Sequence, residues 1–435
     1  SVVLLSATLT RKQRSDLVRA FCGDRYVSLT KDGLHDYPLL TQITTDSEML
    51  REQVLNTRLL VRREVSVDFC HSEDDVIRII REAAEQGRSI CWIRNTVADA
   101  RTTWKFLRDK DWFPEDRLHL FHSRYALADR LDIENRMLEI FGKPPSEDAA
   151  KLAQAAQRRG QVLIATQVVE QSLDLDFDLM ISDLAPIDFL IQRAGRLHRH
   201  DRGDRGSPTL YIYAPPFDPD PGADWYRKYF PKASYVYSDT LVLWRTQAIL
   251  QTKRGWRMPE DARVLLEGVY DDNGDIPQGL QDAHDAMLGR TYGERDAAQF
   301  ATLHLGSGYQ RTRQWSEEGG VATRLGDESQ MVYLARWQDG RLEPWRDDGP
   351  YPWDMSSLRV ASRDLGKLST SDPVLAQAMA GLRAQEQSFD DDTLIVPLQR
   401  HKDVWRADVL DEKKRERTIE YSALMGLRIE KKHGA

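Results

Sequence analysis

Cysteine is scarce, with three in 435 residues. Cys22, Cys70 and Cys91 lie far apart without zinc-ligand spacing. They read as buried small hydrophobes in a reducing cytoplasm, not as ligands or disulfides. No apolar run approaches the roughly 20 residues that a membrane-spanning helix needs. No basic-then-apolar leader is present, so export is not expected. Positive charge is not in excess: 61 Lys and Arg face 69 Asp and Glu, for a formal net charge of −8. That excludes attraction of nucleic acid by the whole surface and leaves a local basic groove open. The pairs His35-Asp36, His200-Asp201 and His284-Asp285 lack companion ligands, so no metal site is expected.

What is present is alternation. "SVDFC", "SICWI", "LHLFH", "QVLIAT", "FDLMIS" and "TLYIYAP" are short strand candidates. Helical segments lie between most of them. "SEDDVIRIIREAAEQG" has Ser72 as its cap and Gly87 at its end. "ALADRLDIENRMLEIFG" carries Leu127, Leu131, Leu138 and Phe141 near helical spacing. Such alternation predicts an α/β domain with a mainly parallel sheet. Ahead of it, "SVVLL" reads as a buried strand, Thr10 and Gln13 as a capping box for "RKQRSDLVRAF", and "DGLHDYPLLTQITTD" as a connector. Beyond Pro215 the pattern becomes aromatic-rich, and "WRDDGPYPWD" reads as a linker. The expected division is 1–45 for the opening segment and connector, 46–290 for the α/β domain with an extension, 291–320 for a linker, and 321–435 for a small C-terminal domain.

The stretch "QVLIATQVVEQSLDLDFDLMISDLAPIDFLIQRAGRLHRH" carries the most chemistry. On a helix advancing about 100° per residue, Gln192, Arg196 and Arg199 share a face, opposite Leu190, Ala194 and Leu197. Two guanidiniums and an amide on one face suit phosphate oxygens, because arginine offers a fixed, permanently charged fork. Surface ion pairing is the alternative. The strand end at Thr166, with Ser172 and Asp174 brought to the same edge, offers hydroxyls and amides for nucleic-acid phosphates. Asn95, Thr96, Ser123 and Arg124 also lie where strands end; for Asn95 and Thr96 helix capping competes with phosphate contact. Most of the eleven tryptophans read as core or interface anchors and not as base-stacking platforms, and Trp92, inside a strand, reads as core.

In order and spacing, "SATLT", "ATQVVEQSLDLD" and "QRAGRLHRH" resemble motifs III, V and VI of superfamily 2 helicases. The long match through "LHRH", with "FHSRYALADR", "MPEDARVLLEGVY" and "TRLGDES", is similar to the CRISPR-associated helicase-nuclease of type I systems. That resemblance implies a motor with two RecA-like lobes and ATP between them. It implies that 46–290 is the second lobe and that 1–45 is the tail of the first. Arg196 and Arg199 would be arginine fingers, with Gln192, Arg193, Ser172 and Asp174 also at the nucleotide. Thr166, Asn95, Thr96, Ser123 and Arg124 would line a single-stranded DNA track, and Ser6, Ala7 and Thr8 would couple nucleotide state to DNA grip. The C-terminal domain would cap the DNA channel, and the partner would be the RNA-guided surveillance complex.

The departures are as informative. No G-x-x-x-x-G-K-S/T phosphate loop, acidic magnesium motif or metal-dependent nuclease segment occurs. The expectation is therefore a C-terminal portion of such a motor, holding half an ATP site, with magnesium ligands in the absent first lobe. The alternatives are a non-catalytic DNA-binding or partner-docking module, separated by an ATPase assay on this chain alone, and another superfamily 2 RNA or DNA helicase.

Overall fold

The computed structural model describes residues 2–6, 8–22, 37–44, 47–57, 62–170, 173–270, 274–301, 329–362, 364–365, 372–386, 389–390, 393–402, 404–410 and 416–431. Ala7, Ser172, the expected helix stop at Gly23, and residues 323–328 of "TRLGDES" fall outside them.

The opening segment forms no strand. Val2 to Leu5 are 61–93% exposed, and no described strand pairs with them, so the apolar run lacks the ladder that a buried strand requires. The capping box is present: the Thr10 amide donates to Gln13 Oε1 at 3.0 Å, and the Gln13 amide to Thr10 Oγ1 at 3.1 Å. It starts helix α1 (Arg11–Cys22). The expected connector instead folds partly into an antiparallel hairpin, β1 (Leu39–Thr44) with β2 (Ser47–Val54).

All six predicted strands form. In chain order the elements are β3 (Arg63–Cys70), α2 (Glu73–Glu85), β4 (Ile90–Ile93), α3 (Val97–Asp109), β5 (Leu118–Phe121) and α4 (Leu127–Phe141). Then come α5 (Asp148–Gln157), β6 (Val162–Ala165), β7 (Leu179–Asp183), α6 (Ile187–Ala194) and β8 (Thr209–Tyr213). An extension follows: α7 (Trp225–Tyr229), α8 (Thr240–Lys253), β9 (Gly255–Met258), α9 (Ala262–Tyr270) and α10 (Gln281–Ala301). The sheet order is β5-β6-β4-β7-β8-β3-β9, with β6, β4, β7, β8 and β3 paired parallel and β9 as an antiparallel edge. Every residue of β4, β6 and β7 is buried, as central parallel strands require. Trp92 is fully buried, and its indole donates to Asp183 Oδ1 at 3.1 Å. Gly255 holds φ +151°, and a Cβ there would meet the Val65 carbonyl oxygen at 2.4 Å, so the edge strand approaches β3 only through glycine.

Helix α4 buries only part of the expected face: Phe141 is inside and Leu138 half-buried. Leu127 and Leu131 are exposed, while Asp129, Met137, Ile140 and Phe141 are inside. Asp129 is drawn in by the polar partners described below.

The chain divides into two compact units, residues 1–119 with 140–287, and residues 120–139 with 288–435. In the second, α10 carries helix to Ala301, within the stretch expected as a linker. The remaining elements are β10 (Ser329–Gln338), β11 (Arg341–Pro344), α11 (Pro352–Met355), β12 (Ser357–Ala361), α12 (Pro373–Gln385), β13 (Leu394–His401), β14 (Val404–Leu410), β15 (Glu416–Tyr421) and β16 (Arg428–Lys431). They build a sheet in the order β11-β10-β13-β14-β15-β16, with β12 also on β10. "WRDDGPYPWD" is structured, not a linker: Trp345 packs edge-on against Trp405 and Tyr421.

Candidate functional site

The chain leaves β6 at Thr166 and returns to β7 through "QVVEQSLDLDFD". Alongside that return runs "QRAGRLHRHDRGDR", which has arginine at every third position from 193 to 205. The two segments are joined by ion pairs. Arg193 Nε donates to Glu170 Oε1 at 2.7 Å, and Arg196 Nη2 to the Glu170 carbonyl at 2.8 Å. Arg199 Nε meets Asp174 Oδ1, which His200 Nε2 also approaches at 3.2 Å. Arg202 Nε donates to Asp176 Oδ2 at 2.6 Å, and Arg205 Nη1 bridges Asp176 and Asp178 at 3.0–3.1 Å. Arg158 closes the far end on both Asp178 oxygens at 2.9 Å. Burial works to raise the Asp178 pKa, but Arg158, the Ser89 amide and Arg205 outweigh it and hold the carboxyl at about 2.

Helix α6 is shorter than the sequence spacing suggests. It ends at Ala194, and Leu197 leaves to form a parallel bridge with Phe177 just ahead of β7. Arg196 and Arg199 therefore sit on a turn beyond the helix, not on a helix face with Gln192. Arg63, at the start of β3, fixes that turn. Its guanidinium donates to the carbonyls of Gly195 (3.3 Å), Leu197 (3.5 Å) and Arg199 (2.8 Å). Nothing in the sequence marks Arg63, because it lies 132 to 136 positions from its partners.

The turn gathers cations faster than acids neutralise them. Burial lowers the pKa of Arg196, and Arg199 and Arg63 lower it further, while Asp174 and Glu170 offset only part. Arg63 is lowered likewise, by burial and then by Arg199. Arg196 Nε is buried without a hydrogen-bond partner. Crowded guanidiniums form a site that an anion would relieve, phosphate above all.

Arg193 needs a correction, since its side chain is fully buried. Besides Glu170 it donates to Ser182 Oγ (2.7 Å), the Asp183 carbonyl (3.2 Å), Asn95 Oδ1 (3.3 Å) and Tyr237 Oη (3.1 Å). It locks α6 to the sheet and offers a ligand nothing. Asn95 is also enclosed, donating to the Leu184 carbonyl at 2.7 Å and to Tyr226 Oη at 3.0 Å. Thr96 caps α3, accepting from the Asp99 amide at 3.1 Å. Thr166 is 2% exposed, directly after β6. Asp174 does not share that edge. It and Asp176 lie near the amino end of β7, because Asp176 pairs with arginines ahead of β6 and after α6. Glu170, Tyr237 and Tyr226 were not singled out from the sequence; the arginine triplet spacing and the alternating acids of "LDLDFD" were the legible signal.

Within the second unit Ser123 is exposed. Arg124 donates to Asp364 Oδ2 at 2.8 Å. Next to them Asp129 is a hub: Tyr421 Oη (2.6 Å), Trp345 Nε1 (2.8 Å) and Arg346 Nη1 (2.8 Å) all donate to it. Arg346 also reaches Asp132 at 2.8 Å. In the opening segment the Thr8 amide donates to Ser6 Oγ at 3.2 Å, and Tyr37 Oη to the Ser6 carbonyl at 3.0 Å.

Residues 86–202, which include most of this arginine-acid ladder, match the family model described as the C-terminal part of the CRISPR-associated nuclease/helicase Cas3. The chain is 31% identical over 355 residues to the CRISPR-associated endonuclease/helicase Cas3 of Escherichia coli, covering 79% of this chain and 36% of that protein. The chain corresponds to a C-terminal portion of a Cas3 helicase-nuclease. The fold agrees with T. fusca Cas3 crystallised with AMPPNP, at a TM-score of 0.73 and 22% identity over 98% of this chain and 50% of that one. A chain of a CRISPR RNA-guided surveillance complex in a pre-nicking state shares the fold at a TM-score of 0.68 and 23% identity, over 98% of this chain and 52% of that one. The sequence thus spans about a third of the length of the E. coli relative. No group of three or more His, Cys, Asp or Glu side chains among the described residues could hold a metal ion. The acids of the arginine-acid ladder are engaged by arginines and do not fit magnesium. Among the described residues no helix is long and apolar enough to cross a membrane.

Proposed function

We propose that, in a longer protein, this chain is the second RecA-like lobe and C-terminal domain of an ATP-dependent translocase that moves on single-stranded DNA during type I CRISPR interference in the cytoplasm. The observation that carries this reading is the cationic turn, where Arg196 and Arg199 are crowded, only partly neutralised and held rigid by Arg63. ATP bound against the turn would supply the phosphate anhydride. This lobe would orient that group and stabilise the charge that develops as the γ-phosphoryl leaves, with Gln192 and the loop around Ser172 and Asp174 flanking it. Magnesium, if required, must take its ligands from outside the residues described. Arg193, Asn95 and Thr96 act here as positioning residues, while Thr166, Ser123 and Arg124 remain the candidates for DNA phosphates. The partner proposed is an RNA-guided surveillance complex, by analogy with the shared fold. The domain division at 45, 290 and 320 belongs to the same proposal.

The test is steady-state ATP hydrolysis by the longer protein with single-stranded DNA, with single-stranded RNA and with neither. Stimulation by DNA is the expected result. Stimulation by RNA alone would favour another superfamily 2 helicase, and equal turnover in all three conditions would overturn the reading.

A further inference from the structure

The extension contains a helix whose polar face the reading above leaves unused. Arg263, Glu267 and Tyr270 of α9 stand at i, i+4 and i+7, so they share one face along nine residues. Leu265, Leu266 and Val269 are buried, and α9 packs against α6 and α8. At the start of that face Arg263 Nη1 donates to the Leu9 carbonyl at 3.2 Å and to Glu267 Oε1 at 3.1 Å. Glu267 Oε1 in turn accepts from the Arg11 amide at 2.8 Å. The Arg263 guanidinium lies 5.9 Å from the centre of the Tyr37 ring, whose hydroxyl holds the Ser6 carbonyl at 3.0 Å. At the other end Tyr270 Oη donates to Asp188 Oδ1 at 2.5 Å. Asp188 lies in the first turn of α6, and Arg193 in its last. Arg263 is 7% exposed and keeps Nε without a hydrogen-bond partner. A buried arginine with one bare donor is costly and is not needed merely to pack a helix.

We infer that α9 is a coupling rod between the Ser6–Arg11 segment and the α6 helix that ends in the cationic turn, with Arg263 and Tyr270 as its positioning residues. This inference rests on the translocase reading. One end of the rod grips the backbone of a segment expected to respond to nucleotide and DNA. The other fixes the rotation of the helix that delivers Arg196 and Arg199. A shift of the opening segment is passed through Arg263 and Glu267 to α9, and through Tyr270 to Asp188. The bonds made by Arg263, Glu267 and Tyr270 are part-buried, while the Tyr37–Ser6 bond at the far end is exposed.

The test uses the longer protein with Tyr270→Phe and Arg263→Gln, which keep most of the side-chain volume. The readouts are ATP turnover without DNA, turnover at saturating single-stranded DNA, DNA affinity and melting temperature. The expected result is a fall in DNA stimulation of about three- to tenfold, the range that one buried hydrogen bond spans. Basal turnover and DNA affinity should stay within about twofold. If the ratio of stimulated to basal turnover is unchanged in both variants, or if both rates fall in parallel with melting temperature, α9 is only a structural helix and the inference fails. If the unsubstituted protein shows no DNA stimulation, the translocase reading itself has failed.

Discussion

Arg63 shows how a single side chain can set a site without touching a ligand. One guanidinium satisfies three carbonyls of the Gly195–Arg199 turn, and its charge adds to the crowding that lowers Arg196. Replacing it by lysine keeps the charge but loses the planar fork, so the turn loosens. Arg63→Lys is expected to lower ATP turnover in the longer protein by roughly tenfold, since one to two hydrogen bonds are lost, with DNA affinity almost unchanged. Turnover kinetics with a parallel DNA titration checks this. Arg196 and Arg199 were legible from the sequence because both arginines belong to a recognisable run. Arg63 was not, because the contact is made only when strands far apart in the chain meet. Arg193 was legible as important but not as buried: its arginine is the same letter, and only Glu170, Ser182 and Tyr237 around it decide that it binds inward.

At the scale of elements, the return loop to β7 and the arginine run after α6 behave as one unit, fastened at its base by Asp176 and Asp178. The Asp178 carboxyl falls from its ordinary value of 3.8 to about 2 in the folded chain. Its folded pKa is depressed, so its contribution is complete above pH 4 and is lost as pH falls through 2. A shift of that size corresponds to about 2 kcal/mol. Asp178→Asn is therefore expected to unfold more easily by roughly that amount at pH 7, with the gap to the unsubstituted chain closing between about pH 4 and pH 2. Denaturant unfolding across that range measures it. A second element-scale case is Gly426, at φ +64°, where a Cβ would meet the Arg124 carbonyl oxygen at 2.3 Å and His122 Cε1 at 2.9 Å. Gly426→Ala is expected to destabilise the second unit by more than about 1 kcal/mol and to weaken binding of single-stranded DNA, seen by calorimetric melting and fluorescence anisotropy. The strands and their order of burial were legible because central parallel strands are continuously apolar. The end of α6 was not, since nothing local in "QRAGRLHRH" distinguishes a continuing helix from a turn captured by Phe177. The hairpin at 39–54 was missed because its residues are mostly polar and its ladder is supplied by a partner strand, not by burial.

At the scale of the whole molecule, the proposed function makes the cationic turn half of a site. It offers donors and charge for a phosphate, but no backbone cradle of the phosphate-loop type and no set of metal ligands among the described residues. The chain alone is expected to hydrolyse ATP no faster than a buffer control, with or without single-stranded DNA; DNA-stimulated turnover by the purified 435-residue chain would contradict the half-site account. The most direct measurement is single-stranded-DNA-dependent ATP hydrolysis by the longer protein carrying Arg196→Ala or Arg199→Ala, with DNA affinity read on the same samples. An arginine that stabilises a transferring phosphoryl group contributes about 10³-fold or more to the rate. The account predicts a loss of that order in at least one variant, with DNA still bound. Turnover unchanged in both would contradict it.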